Sequence, residues 1–155
     1  MSAVLEEVVL HPTLQAAQAE ATSLGLPFSG SVSPQQAWEL FQAGQARIVD
    51  VRTAEERKFV GQVPGTLHVA WATGTALTRN PRFVRELEAK VGRHDPVLLL
   101  CRSGKRSALA AEAAAKAGFT RVFNIREGFE GELNAAQQRG TADGWRYQGL
   151  PWQQD

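Results

Sequence analysis

Val97-Leu98-Leu99-Leu100-Cys101-Arg102-Ser103-Gly104-Lys105-Arg106-Ser107 is the stretch on which the fold turns. Its apolar run reads as a strand buried on both faces, stopped by a polar loop that contains a glycine. Residues 107–117 have the Ala, Leu, Glu and Lys content that favours helix, and Gly118 stands where a C-terminal cap belongs. Cys101, the one cysteine in the sequence, is thus placed at a strand end ahead of a helix N-terminus. Unpaired backbone N–H groups and the positive end of a helix dipole favour anions there. Arg102, Lys105 and Arg106 add three positive charges with no acid among them. Such surroundings favour the thiolate, the reactive form of cysteine. A cysteine that only filled a core would need neither the cations nor the glycine.

Outward from this stretch the chain alternates between strand-like and helix-like segments. Residues 30–32 read as a short strand, and Ser33-Pro34 as the cap and first residue of a helix ending near Gly44. Residues 47–51 are β-branched enough for a strand, with Asp50 near its carboxyl end. Thr53 caps a short helix through Phe59, in which Glu55 and Glu56 suit the first turn. Residues 66–71 are expected to form a third strand. Asn80-Pro81 opens a helix whose stripe is Phe83, Val84, Leu87 and Val91. Residues 121–125 supply a fifth strand, and residues 133–139 a last helical turn or two. In the tail, Trp145, Tyr147, Leu150 and Trp152 are expected to pin the chain to the body. At the other end, Pro12 opens a helix over residues 13–24, expected to pack on the flank of the domain, with partner binding as the alternative. This order implies an α/β fold, a five-stranded, mostly parallel sheet with helices on both faces and an N-terminal helical extension. Sites in such sheets form beyond the carboxyl ends of the strands. Asp50, Trp71, Cys101 and the loop after Ile125 all fall on that edge.

The 155 residues suffice for one domain with a hydrophobic core. A net charge of +1 provides no general attraction to nucleic acid or membranes, so neither is expected as a partner. No apolar run approaches the ~20 residues of a membrane span. Residues 1–10 carry Glu6 and Glu7 and lack the layout of a secretory signal, and one cysteine cannot form an intramolecular disulfide. A reducing, cytoplasmic setting is expected. His11, His68 and His94 have no metal-ligand spacing and there is one cysteine besides, so no metal is expected; no other cofactor is expected either.

A thiolate in a loop of N–H groups suits two chemistries, phosphoryl transfer and sulfur transfer, and four residues between Cys101 and Arg106 make a small ring of amides. Here the sequence resembles the rhodanese-like sulfurtransferases, in the loop from Cys101 to Ser107 and in several further motifs. Asp50-Val51-Arg52 with Glu55 and Phe59, Gly61-Gln62-Val63-Pro64-Gly65-Thr66, and Glu127-Gly128-Phe129-Glu130-Gly131 are similar to that family's ordered motifs. So is the closing segment, Gly144-Trp145 to Gly149-Leu150-Pro151-Trp152. Gln62 departs from the pattern, since many members have His there, and it is expected to lie outside the chemistry. The resemblance covers roughly residues 32–152, and with the alternation beginning at Phe28 the domain is expected over residues 28–155, with residues 1–27 as the extension.

It also implies a Cys101 persulfide and a substrate anion bound by the loop of Arg102, Ser103, Gly104, Lys105, Arg106 and Ser107. Related phosphatases and arsenate reductases carry one more loop residue. The implied reaction moves a sulfane sulfur from a small-molecule donor such as thiosulfate to a thiophilic acceptor, cyanide, a small thiol or a protein thiol. A docking module of the same fold is the alternative of a different class, and such modules usually lack the cysteine. Asp50 and Arg52 are expected to hold the loop from the neighbouring strand end, and Trp71 and Phe129 to stand at the pocket rim.

Overall fold

Apolar residues fall on both faces of each central strand, which requires covering layers above and below the sheet. The computed structural model describes residues 10–154. The expectation that residues 1–10 lack a secretory signal's layout falls, apart from Leu10, on residues outside that range. The chain runs through α1 (Pro12–Leu24), β1 (Gly30–Val32), α2 (Pro34–Gln42), β2 (Arg47–Asp50), α3 (Ala54–Phe59) and β3 (Leu67–His68). A hairpin of β4 (Ala72–Thr73) and β5 (Thr78–Arg79) follows, then α4 (Phe83–Glu88), β6 (Val97–Leu100), α5 (Lys105–Lys116) and β7 (Val122–Ile125). The main sheet has the order β1-β7-β6-β2-β3, and every neighbouring pair is parallel. Among the described residues no helix is long and apolar enough to cross a membrane.

Alternation along the strands divides the core in two. Val49, Val97, Leu99 and Val122 pack with Phe83 and Leu87 of α4 and Ala110, Ala111 and Ala114 of α5. Ile48, Leu98, Leu100, Phe123 and Ile125 point the other way, onto Leu14 and Ala17 of α1 and Ala37 and Leu40 of α2. Each such Val, Leu, Ile or Phe side chain contributes about 1.5–3 kcal/mol on burial. Helix α1 therefore closes one face of the core, and at Gly30 a β-carbon would come within 2.6 Å of the Ala17 carbonyl oxygen. Both α2 and α3 begin with a reciprocal capping box, Ser33 with Gln36 and Thr53 with Glu56.

Several expectations need correction. The strand foreseen over residues 66–71 is confined to Leu67–His68, although Val69 and Trp71 still donate backbone hydrogen bonds to Asp50 and Val51. The β4–β5 hairpin, with Leu77 at φ 53°, has no counterpart in the sequence reading. Helix α4 starts at Phe83, because the Asn80 carboxamide and carbonyl accept from the Arg82 and Phe83 N–H groups and form a turn first. Residues 133–139 form a loop around Asn134, whose side-chain oxygen accepts from the Ala136 and Gln138 N–H groups and so competes with helix. In the tail, Trp145 is fully buried and donates to the Pro151 carbonyl, and Trp152 lies against Gly61, but Tyr147 is exposed.

The topology selects the site. From β2 the chain moves to β3 on one side, whereas β6 lies on the other, so the connections diverge between β2 and β6. Crevices open at such points, beyond the strands' carboxyl ends. Arg52 leaves β2 there, and Cys101 leaves β6. Because α1 closes one face of the core, Leu14→Ala is expected to lower the unfolding free energy by about 2–5 kcal/mol in urea titrations. A loss within about 0.5 kcal/mol would make α1 an appendage.

Candidate active site

The loop after β6 is shaped by the loop after β7. The Phe129 N–H donates to the Cys101 carbonyl at 2.8 Å, and the Glu130 and Gly131 N–H groups donate to the Arg102 carbonyl at 2.9 and 3.1 Å. Gly128 permits this approach, since a β-carbon there would lie 2.5 Å from the Arg102 carbonyl and 2.6 Å from the Cys101 oxygen. Its φ of 66° is also left-handed, so only glycine serves both needs. The chain then turns through Gly104, at φ 100°, into α5, two residues before the start expected from composition. The Ala108 N–H bonds back to the Gly104 carbonyl, and the amides of Lys105, Arg106 and Ser107 form the first turn, where a helix leaves N–H groups without intrahelical acceptors.

Cys101 is 1% exposed. Its Sγ accepts from the Gly104 N–H at 3.0 Å and from the Ser107 hydroxyl at 3.2 Å. The Ser107 hydroxyl also bonds the Asn124 carboxamide oxygen of β7, and the Asn124 Nδ2 donates to the Gly104 carbonyl at 3.2 Å. Ser103 is half-buried, and Arg102 and Lys105 are exposed.

Arg106 is placed otherwise than a free anion-binding side chain. Its Nη1 and Nη2 donate to the two carboxylate oxygens of Glu56 at 2.7 and 2.8 Å, a bidentate pair from α5 to α3. Burial opposes the charge on Glu56, but the Arg106 hydrogen bonds and charge, the Thr53 N–H and the Arg52 charge outweigh it. The Glu56 carboxyl is therefore held below its ordinary 4.5. Burial likewise opposes the Arg106 charge, yet Glu56, with Cys101 and Asp50, makes its proton harder to remove. Two of five guanidinium donors are committed to Glu56, which leaves three.

Asp50 and Arg52 are both fully buried and pair with each other, Nη2 to Oδ2 at 2.7 Å. Asp50 also takes Arg57 at 3.0 Å, and Arg52 reaches the Gly61 carbonyl at 2.7 Å and lies over the Phe129 ring at 4.3 Å. They thus brace the turn into α3 and the segment at Gly61, and it is Glu56 of α3 that reaches the cysteine loop. Phe129 is fully buried and lies in the core beneath the site instead of at its rim. Trp71 is 8% exposed and packed edge-on against Phe83 in the cluster that holds Cys101, with Arg79 over its face. Gln62 bonds Arg57 and pairs with Gln153, away from the thiol.

The rim is instead formed by the hairpin. A cavity of about 370 Å³ is bounded by Thr53 and Glu56, by Gly74 and Leu77 of the hairpin, and by Arg102 and Arg106 of the loop. A larger hollow of about 410 Å³, walled by Ala17, Glu20 and Arg126, shares no residue with the loop, so the chemistry assigns the smaller one to the site. Sequence reasoning missed Glu56, Asn124 and the hairpin as parts of this arrangement. The capping box at Thr53 marked Glu56, and a polar residue inside the buried strand VFNI marked Asn124, but only as features of their own elements.

With the loop so defined, comparison with known proteins is decisive about the family. The rhodanese-like domain family matches residues 33–135, and the chain belongs to it. The senescence-associated protein DIN1 of Raphanus sativus is 35% identical over 101 residues, 64% of this chain, which spans just over half of that protein's length, 54%. Thiosulfate sulfurtransferase 16 of Arabidopsis thaliana is 35% identical over 101 residues, 64% of this chain and 82% of its own. The crystal structure of Rv0390 from M. tuberculosis is 43% identical and superimposes with a TM-score of 0.75, covering 83% of this chain and 99% of that one.

The Glu56–Arg106 pair predicts a pH-dependent stability. Because Glu56 is lowered in the folded state, its contribution is complete above 4.5, where an unfolded glutamate is ionised, and is lost as pH falls through the folded value. Glu56→Gln is expected to lower stability by about 1–3 kcal/mol at neutral pH, between the ranges for exposed and buried pairs. The difference from wild type should shrink in urea titrations below pH 4.5. A difference that stayed constant with pH would deny the pair its role.

Proposed function

We propose that the protein is a sulfurtransferase that carries a sulfane sulfur on Cys101. The observation that carries this reading is the Gly104 N–H donating to the Cys101 Sγ at 3.0 Å, in a loop entering α5 with Arg106 fixed beside it. That arrangement suits a sulfur-centred anion, first the thiolate and then a persulfide, at the positive end of a helix. In the first half-reaction the Cys101 thiolate attacks the outer sulfur of thiosulfate. A sulfur–sulfur bond forms, the bond to the sulfonate sulfur breaks, and its electron pair leaves with sulfite. In the second, an acceptor nucleophile such as cyanide attacks the outer sulfur, and the pair of the breaking bond returns to Cys101 as the thiolate. No proton need move in either step. Arg102 at the cavity and the uncommitted donors of Arg106 are the cations available to the leaving sulfite.

With one cysteine in the sequence, this chain cannot release its persulfide by internal disulfide formation, so the acceptor is external: a small thiophile or a protein thiol. A thiol that must stay reduced suits a cytoplasmic setting. Support from kinship is the likeness to thiosulfate sulfurtransferase 16. Wild-type protein is expected to form thiocyanate from thiosulfate and cyanide, and Cys101→Ser to lose that activity to background. Retention of activity in Cys101→Ser would refute the scheme.

A further inference from the structure

We propose that Asn124 is a positioning residue that, through Ser107, decides whether the hydroxyl beside Cys101 points at the sulfur or away from it. A serine hydroxyl has one proton to donate. Ser107 Oγ lies within hydrogen-bond reach of two acceptors, the Cys101 Sγ at 3.2 Å and the Asn124 carboxamide oxygen. The carboxamide cannot turn over to relieve this competition. Its Nδ2 donates to the Gly104 carbonyl at 3.2 Å, and a carbonyl only accepts, so the oxygen must face Ser107. Asn124 is 7% exposed and sits on β7 opposite Leu99 of β6, held by the sheet register.

The hydroxyl therefore has two states. With a thiol at Cys101, the S–H donates to Ser107 Oγ and Ser107 donates to Asn124. With a thiolate, the Ser107 proton turns to the sulfur and Asn124 loses its donor. Asn124 opposes the thiolate that Ser107 supports. In the persulfide the charge moves to the outer sulfur, the inner one accepts weakly, and the hydroxyl returns to Asn124, which thus favours the loaded state. This last step rests on the sulfur-transfer reading. Alkylation of the thiol does not, so failure of persulfide formation and failure of the hydroxyl switch are read separately.

Charged groups around the site are Arg102, Lys105 and Arg106 on the loop and α5, Asp50 and Arg52 at the end of β2, Glu55, Glu56 and Arg57 on α3, His68 on β3, and Arg126, Glu127 and Glu130 after β7. Substitutions at 107 and 124 leave all of them in place. The test is the rate of iodoacetamide alkylation across pH, which reports one site because the chain has one cysteine. On the rising limb, Ser107→Ala is expected to react about three- to tenfold more slowly, its profile moved to higher pH. Asn124→Ala is expected to react faster by a similar factor, its profile moved to lower pH. The double variant should match Ser107→Ala, which separates action through the hydroxyl from any effect of losing the bond to the Gly104 carbonyl. A change in access alone would scale the plateau without moving the profile along the pH axis. Should Asn124→Ala lose its native circular dichroism, Asn124→Leu keeps the volume and removes both hydrogen-bonding groups. The proposal is overturned if the folded Asn124 variant moves the profile the same way as Ser107→Ala or not at all, or if its effect persists in the Ser107→Ala background.

Discussion

The amides of Phe129, Glu130 and Gly131 hold the carbonyls of Cys101 and Arg102, and the site depends on that contact. Carbonyl oxygens beside a sulfur anion would repel it. Tied to the loop after β7, they free the following backbone to turn through Gly104 and present its N–H to the sulfur. The contact requires β6 and β7 to be adjacent and in register, which the parallel pairing of Leu98 with Phe123 and Leu99 with Asn124 ensures. It also requires no side chain at position 128, where the backbones approach too closely for a β-carbon.

A second constraint is the ion pair between Glu56 and Arg106, fifty residues apart in sequence. It joins the N-terminus of α3 to the first turn of α5 across the crevice between β2 and β6. Glu56 serves both elements, since the same carboxylate accepts from the Thr53 N–H in the capping box. Behind it, the buried Asp50–Arg52 pair fixes the turn from β2 into α3. A buried pair of this kind adds little net stability but leaves few alternative arrangements, and here it sets the position from which Glu56 reaches Arg106.

Much of this was legible in the sequence because the signals were local. The apolar run before Cys101, the Ser33-Pro34 start of α2, the Thr53 cap and the Pro12 start of α1 are each fixed by neighbours within a few positions. The cysteine loop was legible for the same reason. What failed was set by distant contacts. The role of Glu56 depends on where α5 begins, and that of Asn124 on which strand lies beside it. The hairpin over residues 72–79 has strands of two residues each, too short to show a period. Phe129, expected at the rim, has its ring as the floor under Arg52, a placement set by that distant contact.

In the proposed scheme Cys101 carries the transferred sulfur within this amide-lined loop. Intact-mass spectrometry of the protein after incubation with thiosulfate tests it most directly. The expected result is a gain of one sulfur atom, located at Cys101 and removed by cyanide. An unchanged mass, with Cys101 still open to alkylation, would contradict it.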